Sequence, residues 1–291
     1  MAPSFLLVAC LSAQTAPSLR VGLITRGDSL AIPTSIERGV RLGAAEAKQT
    51  AALFGGDVVL REQPADGNAE RAAEKLLAAS KVQILIGVAA QDADVLSRFA
   101  ESHRVVFFNV ASRAPALRAA CRRYTFHVEA GDSMYANALI NARSPTNARV
   151  AMWSPSLSRY GASQINDRYR VKYNAPMDAG AWAGWVAVKI ASEAALRTQS
   201  SNPAAILSYL EAPTTTFDGH KGWPLSFRRT DHQLRQPLYV LSGGSPGARA
   251  SVRDVPELRT IAGGSSAPAN AEQALDALMA KSAPRCGWQS Q

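Results

Sequence analysis

Between Leu19 and about Ala130, short apolar β-rich runs alternate with stretches that repeat their apolar residues at helical spacing, and this alternation leaves few folds open. The runs are Val21–Thr25, Val58–Leu60, Ile84–Val88, Val105–Val110 and Tyr124–Val128. Strands that are apolar almost without a break are buried on both faces, which is the condition of a parallel sheet covered by crossover helices. The intervals supply those helices. Ile36, Val40, Ala44 and Ala47 recur at helical spacing, as do Ala69, Ala72, Ala73, Leu76 and Leu77, and a third helix carries Val95, Leu96 and Phe99 with Asp92 expected to cap it. The pattern predicts a doubly wound α/β lobe, in which ligands sit outside the carboxyl ends of the strands. The loops at those ends are Arg26–Ser29, Ala89–Asp92 and Ala111–Arg113.

Beyond Gly131 the pattern predicts a helix over Met134–Ile140, a connection through Ser144–Asn147, a strand at Arg149–Trp153 and a helix over Tyr160–Tyr173. A long alanine-rich helix follows at Ala181–Leu196, bearing Trp182, Trp185, Val188 and Ile190, and Asn202–Pro203 starts another as cap and first-turn proline. Residues 213–242 read as hairpin-like strands. Gly243–Ser266 reads as a loop rich in Gly, Ser and Ala, before a short helix at Ala271–Met279.

The chain has 291 residues, of which 47% are hydrophobic and 19% charged, ample for a buried core. The apolar stretch Phe5–Leu11 falls far short of the roughly 20 residues needed to span a bilayer. It has the character of a secretory signal, although no Lys or Arg precedes it. Leu7–Cys10 also fits a bacterial lipobox, in which Cys10 is lipidated. Export leaves Cys121 and Cys286 as the thiols of the folded body, either bridged or buried as small apolar groups.

The net charge of +9 invites a nucleic-acid reading, but the basic residues come singly or as pairs, such as Arg122–Arg123 and Arg228–Arg229, with no aromatic lacing. A solvated basic surface is the reading adopted. Enzymatic motifs fail one by one. Gly22 to Gly27 has the spacing of a phosphate loop, yet Asp28 stands where the lysine belongs and Gly22 lies inside a strand. Gly243–Gly247 spells a nucleophile elbow around Ser245, but Pro246 lacks the backbone N–H that would stabilise an oxyanion, and no histidine follows. His103, His127, His220 and His232 show no metal-ligand spacing, so neither a metal nor a cofactor is assigned.

The segments "RVGLITRGDS" at 20–29 and "SIERGVRLGAAEA" at 35–47 resemble the type I periplasmic binding proteins of branched-chain amino acid ABC transporters. The blocks at 121–139, 158–196 ("AWAGWVAVK" within it) and 217–240 ("FDGHKG" within it) resemble the subgroup associated with PQQ-dependent alcohol dehydrogenase systems. The resemblance implies two doubly wound parallel-sheet lobes around a ligand cleft, and a non-enzymatic protein that hands a small molecule to an inner-membrane ABC permease. It implies a periplasmic location, and a Cys121–Cys286 bridge by likeness of "LDALMAKSAPRC" at 275–286 to the subgroup's end. With the apolar stretch assigned to a signal at 1–18, lobe one is expected at 19–130 with 181–235, lobe two at 131–180 with 236–262, and a tail at 263–291. Hinges then fall near residues 130, 180 and 235. By position it assigns Ala89, Ala90, Gln91, Ala111 and Ser112 to the ligand, with Trp182 either stacking on it or lying in the core.

Two departures stand out. Residues 141–148 alone replace two further strand–helix units expected in the second lobe, which is therefore truncated and leaves edges and apolar faces exposed. The loop after Val88 carries Ala89 and Ala90 where hydroxyl side chains grip an amino acid's carboxylate in the family, so no amino acid is assigned as ligand. A sensory or interaction protein keeping the fold without transport is the alternative expectation.

Overall fold

A computed structural model describes residues 17–27, 34–141, 148–242, 251–254, 271–279 and 285–288. The stretch at Phe5–Leu11 with Cys10, the Asp28–Ser29 end of the first loop, Ser144–Asn147 and the Gly243–Gly247 elbow lie outside the described residues, as does most of Gly243–Ser266.

Five strands form one parallel sheet: β1 (Ser18–Thr25), β2 (Asp57–Pro64), β3 (Ile84–Gly87), β4 (Val106–Asn109) and β5 (Thr125–His127), in the order β2-β1-β3-β4-β5. Every residue of β3, β4 and β5 is buried, as their unbroken apolar character requires. The helices between them are α1 (Ser35–Ala52), α2 (Ala69–Ser80), α3 (Ala93–His103) and α4 (Pro115–Ala119). Thr34 and Glu37 close a capping box on α1, each bonding the other's backbone N–H. Asn68 caps α2 through Arg71 N–H. Asp92 does not cap α3 as expected: its backbone is helical (φ −84°, ψ −11°) and its carboxylate makes no cap bond, because a 3-10 turn at Ala90–Asp92 precedes the helix.

The chain then leaves this sheet through α5 (Asp132–Asn141), β6 (Arg149–Ala151) and α6 (Ala162–Tyr173). Later strands β10 (Tyr239–Ser242) and β11 (Ser251–Asp254) join β6 in a three-stranded sheet, ordered β11-β10-β6. Its described pairings are antiparallel, where the sequence predicts a parallel second sheet. A parallel pair needs a crossover of a dozen or more residues. With β6 the only described element between α5 and α6, it has only β10 beside it among the described residues. Ile140 on α5 and Val171 on α6 stand 71% and 84% exposed, large for apolar side chains.

The long helix α7 (Ala179–Thr198) returns to the first sheet, followed by α8 (Pro203–Glu211) and an antiparallel trio, β7 (Phe217–Asp218), β8 (Pro224–Phe227) and β9 (Leu234–Arg235). Asp178 caps α7 through Ala181 N–H, and Asn202 caps α8 with Pro203 in its first turn. Helices α7 and α1 run side by side in the same direction, with glycines where the backbones meet. A Cβ on Gly39 would collide with the Ala181 carbonyl, one on Gly43 would stand 2.8 Å from the Trp185 oxygen, and one on Gly184 would stand 2.5 Å from the Ile36 oxygen.

At the carboxyl terminus, α9 (Ala271–Asp276) lies against β9, where Asp276 accepts from Arg235 Nε at 2.8 Å. Cys286 and Cys121 form a disulfide with their Cα atoms 5.4 Å apart, and Trp288 donates Nε1–H to the Cys121 carbonyl at 3.1 Å. The Trp288 ring lies 3.9 Å from that of buried His232, whose other neighbour is Phe126, stacked at 4.1 Å.

Because the α1–α7 contact is backbone against backbone, a side chain at Gly39 separates the two helices along their whole length. Gly39→Val is expected to destabilise the protein by about 3 kcal/mol or more, in the range of severe overpacking. Chemical denaturation monitored by circular dichroism measures it; a loss under about 1 kcal/mol means the helices slide apart without penalty.

Candidate functional site

In the order β2-β1-β3-β4-β5 the crossover direction reverses between β1 and β3, so the carboxyl ends of those two strands define the switch-point crevice. Gly87 of β3 pairs in register with Asn109 of β4 and with Ile24 of β1. The loops after Thr25, Gly87 and Asn109 therefore emerge side by side along one edge.

Along this edge Ala89 is buried, Ala90 and Gln91 are exposed, Ala111 is half-buried and Ser112 is buried. The loop after β4 is shaped by Asn109. Its Oδ1 accepts Ser112 N–H at 2.8 Å, and its amide donates to the Ser112 carbonyl at 2.8 Å and to His127 Nδ1 at 3.1 Å. His127 accepts that bond in its neutral form. Burial, with Arg118 close by, holds its pKa well below the ordinary 6.5.

The strand-like stretches 127–131 and 232–237, where the chain passes between the two sheets, are fastened to each other by buried polar side chains. Gln233 Nε2 donates to the carbonyls of His127 and Glu129, each at 3.1 Å, and Gln236 Nε2 to that of Val128 at 2.7 Å. Arg118 donates Nε–H to Gln233 at 2.7 Å and an Nη2 proton to the Glu129 carbonyl at 2.7 Å; burial lowers its pKa to about 10, which leaves it cationic at neutral pH. Lys221, buried, reaches Gln236 Oε1 at 2.7 Å and the Pro237 carbonyl at 3.1 Å.

Trp182 belongs to this buried layer. It is fully buried, donates to the Gly219 carbonyl at 3.1 Å, stacks on Trp153 at 5.9 Å and carries the Lys221 ammonium 3.9 Å over its ring. Of its two expected roles, the core one describes these surroundings. Trp182 thus lies beneath the crossover, while Ala89–Gln91 and Ala111–Ser112 line the strand edge.

At the start of the first crossover Glu129 is buried, and its Oε1 accepts from Arg113 Nε at 3.0 Å and from the Tyr135 hydroxyl at 2.8 Å. The Arg113 guanidinium lies 4.1 Å from the Tyr135 ring centroid. Sequence reasoning passed over Glu129, Tyr135, Arg118, Gln233 and Gln236. Their burial, which makes each polar group find a partner, is set by the tertiary fold, and the polar run 228–236 around the two glutamines carries no local signal of it.

A cavity of about 740 Å³ lies elsewhere, between the carboxyl-terminal halves of α1 and α7. Two ion pairs line it: Glu46 accepts from Arg168 at 2.7 Å and also from Trp185 Nε1 at 2.8 Å, and Lys189 meets Glu193 at 3.3 Å. Among the described residues no cluster of His, Cys, Asp and Glu could hold a metal ion, and no helix is long and apolar enough to cross a membrane.

No family model and no curated protein matches the chain. Solved structures do. The branched-chain amino acid transporter substrate-binding protein LivJ of Streptococcus pneumoniae, in complex with isoleucine, superposes with a TM-score of 0.67 at 14% identity over 82% of this chain and 99% of its own. A periplasmic binding protein of Burkholderia mallei gives 0.70 at 12% over 94% and 99%. A solute-binding protein of an ABC transporter from Rhodopseudomonas palustris, in complex with benzoate, gives 0.66 at 12% over 81% and 95%. These neighbours are type I periplasmic binding proteins and not enzymes, and the chain shares their α/β fold with its parallel sheet.

Two buried groups make stability depend on pH in a defined direction. Glu211, hydrogen-bonded by His232 at 3.2 Å and by Arg123 at 2.9 and 2.8 Å, sits at about 2 against an ordinary 4.5; burial opposes the shift and these partners outweigh it. Its contribution is complete above 4.5 and lost as pH falls towards 2. His127, depressed below 6.5, leaves the unfolded chain binding the extra proton once pH drops under that value. Stability is expected to decline from about pH 6.5 at up to roughly 1.4 kcal/mol per pH unit, and to steepen below 4.5, with Glu211→Gln removing the lower stage. Urea denaturation between pH 7.5 and 2.5 measures this; a flat profile contradicts it.

Proposed function

We propose that this chain is an exported solute-binding component of an ABC-type uptake system, which captures a small molecule between two lobes and presents it to an inner-membrane permease. The observation that carries this reading is the switch-point edge. Its loops converge beside a crossover clamped by buried glutamines, in a fold shared with solute-binding proteins. No covalent chemistry is assigned to it.

The lobes are assigned to 19–130 with 181–235 and to 131–180 with 236–262, hinged near 130, 180 and 235. Ala89, Ala90, Gln91, Ala111 and Ser112 face the ligand, and Trp182 supports the hinge from beneath. Small alanines leave room for an apolar ligand body, and Gln91 offers an exposed amide. The isoleucine and benzoate of the neighbours are both small carboxylates with apolar bodies. The subgroup likeness links the protein to PQQ-dependent alcohol oxidation, with a periplasmic location and either a cleaved signal or an anchor through Cys10.

Screening the mature protein by thermal shift against amino acids, short alcohols, aldehydes, carboxylates and quinone cofactors tests the reading. A true ligand at about 100 times its Kd is expected to stabilise by roughly 2.7 kcal/mol, a rise of several degrees in Tm. Ala90→Trp, at an exposed loop position, is expected to abolish that rise while leaving the ligand-free Tm within about 2 °C. A screen without a stabiliser, or an Ala90→Trp variant that responds like wild type, counts against binding at this edge.

A further inference from the structure

The switch-point edge carries a charge whose arrangement selects among ligands, and this step rests on the binding role assigned above. Arg113 directly follows Ala111 and Ser112 in the loop after β4, and its side chain is 53% exposed while that of its partner Glu129 is 7% exposed. Only Arg113 Nε bonds Glu129, so both Nη groups remain without a hydrogen bond among the described residues. The guanidinium carbon lies 4.1 Å over the centroid of the Tyr135 ring, which supports it from one side. A guanidinium anchored through Nε and held against a ring presents a fixed fork of donors, the geometry that takes a carboxylate in two parallel bonds.

The acid that pairs with Arg113 is already engaged. Glu129 is buried, and its Oε1 is taken by both Arg113 and Tyr135. Asp92, at the end of the neighbouring loop, is half-buried, and burial raises its pKa. Asp132 stands exposed in the first turn of α5, and its backbone N–H bonds the Arg113 carbonyl. A second exposed cation, Arg26, follows β1 on the same edge. The remaining loop positions, Ala89, Ala90 and Ala111, carry no charge.

We propose that Arg113 is the anion-binding residue of the cleft and that the ligand is a small monocarboxylate without an ammonium group. Calorimetric titration of the full chain with benzoate, hexanoate and lactate, each beside its neutral amide, and with leucine, tests this. At least one carboxylate is expected to bind while its amide does not. Arg113→Gln is expected to weaken that carboxylate about 10- to 100-fold, the worth of a charged hydrogen-bond pair. Arg113→Lys, which keeps the charge and loses the fork, is expected to fall between them, and it carries the test should Arg113→Gln fail to fold. If the carboxylate binds Arg113→Gln as tightly as wild type, or if only leucine or a neutral amide binds, the role of Arg113 is overturned while binding at the edge stands. If no probe binds and Ala90→Trp changes nothing in the wider screen, both are overturned.

Discussion

The contact on which the rest of the molecule depends is the backbone-to-backbone seam between α1 and α7. Helix α1 belongs to the first crossover of the parallel sheet, whereas α7 arrives only after the chain has left that sheet to build α5, β6 and α6. Glycines at 39, 43 and 184 let the two helices approach until only peptide groups separate them. Close approach multiplies weak dispersion contacts, and it fixes the height of one helix against the other more sharply than interdigitating long side chains would. Once α7 is seated, the positions where the chain departs and returns are set, and the crossover segments are brought together.

Those crossover segments answer a different constraint. Extended backbone between two sheets leaves peptide groups that neither sheet can pair, and in an apolar surrounding each unpaired group is costly. Gln233, Gln236 and Arg118 supply the missing partners. Side-chain bonds of this kind hold the two stretches together beside a single backbone bridge between His127 and Gln233.

The first lobe was legible because its information is periodic. Ile84–Val88, predicted as a buried strand, is β3, and the spacing of Ala69 to Leu77 is the buried face of α2. Asp92 was misjudged because capping depends on the backbone angle of the cap residue, which a one-turn 3-10 segment altered. The expected parallel pairing of the second sheet failed for want of strands, since a neighbour's direction is not written in β6 itself. The strand-end loops were found by topology alone. Glu129 and Tyr135 escaped because their significance lies in a contact with Arg113 that no local spacing announces.

The disulfide between Cys121 and Cys286 has a topological meaning. It spans 165 residues, and everything from α5 through β11 hangs inside the covalent ring it closes. The second sheet is thus a lobe suspended from a loop whose two ends cannot separate. Its strands can open or fray without the chain drifting from the five-stranded sheet, and a peptide bond cut anywhere within the ring leaves a single molecule.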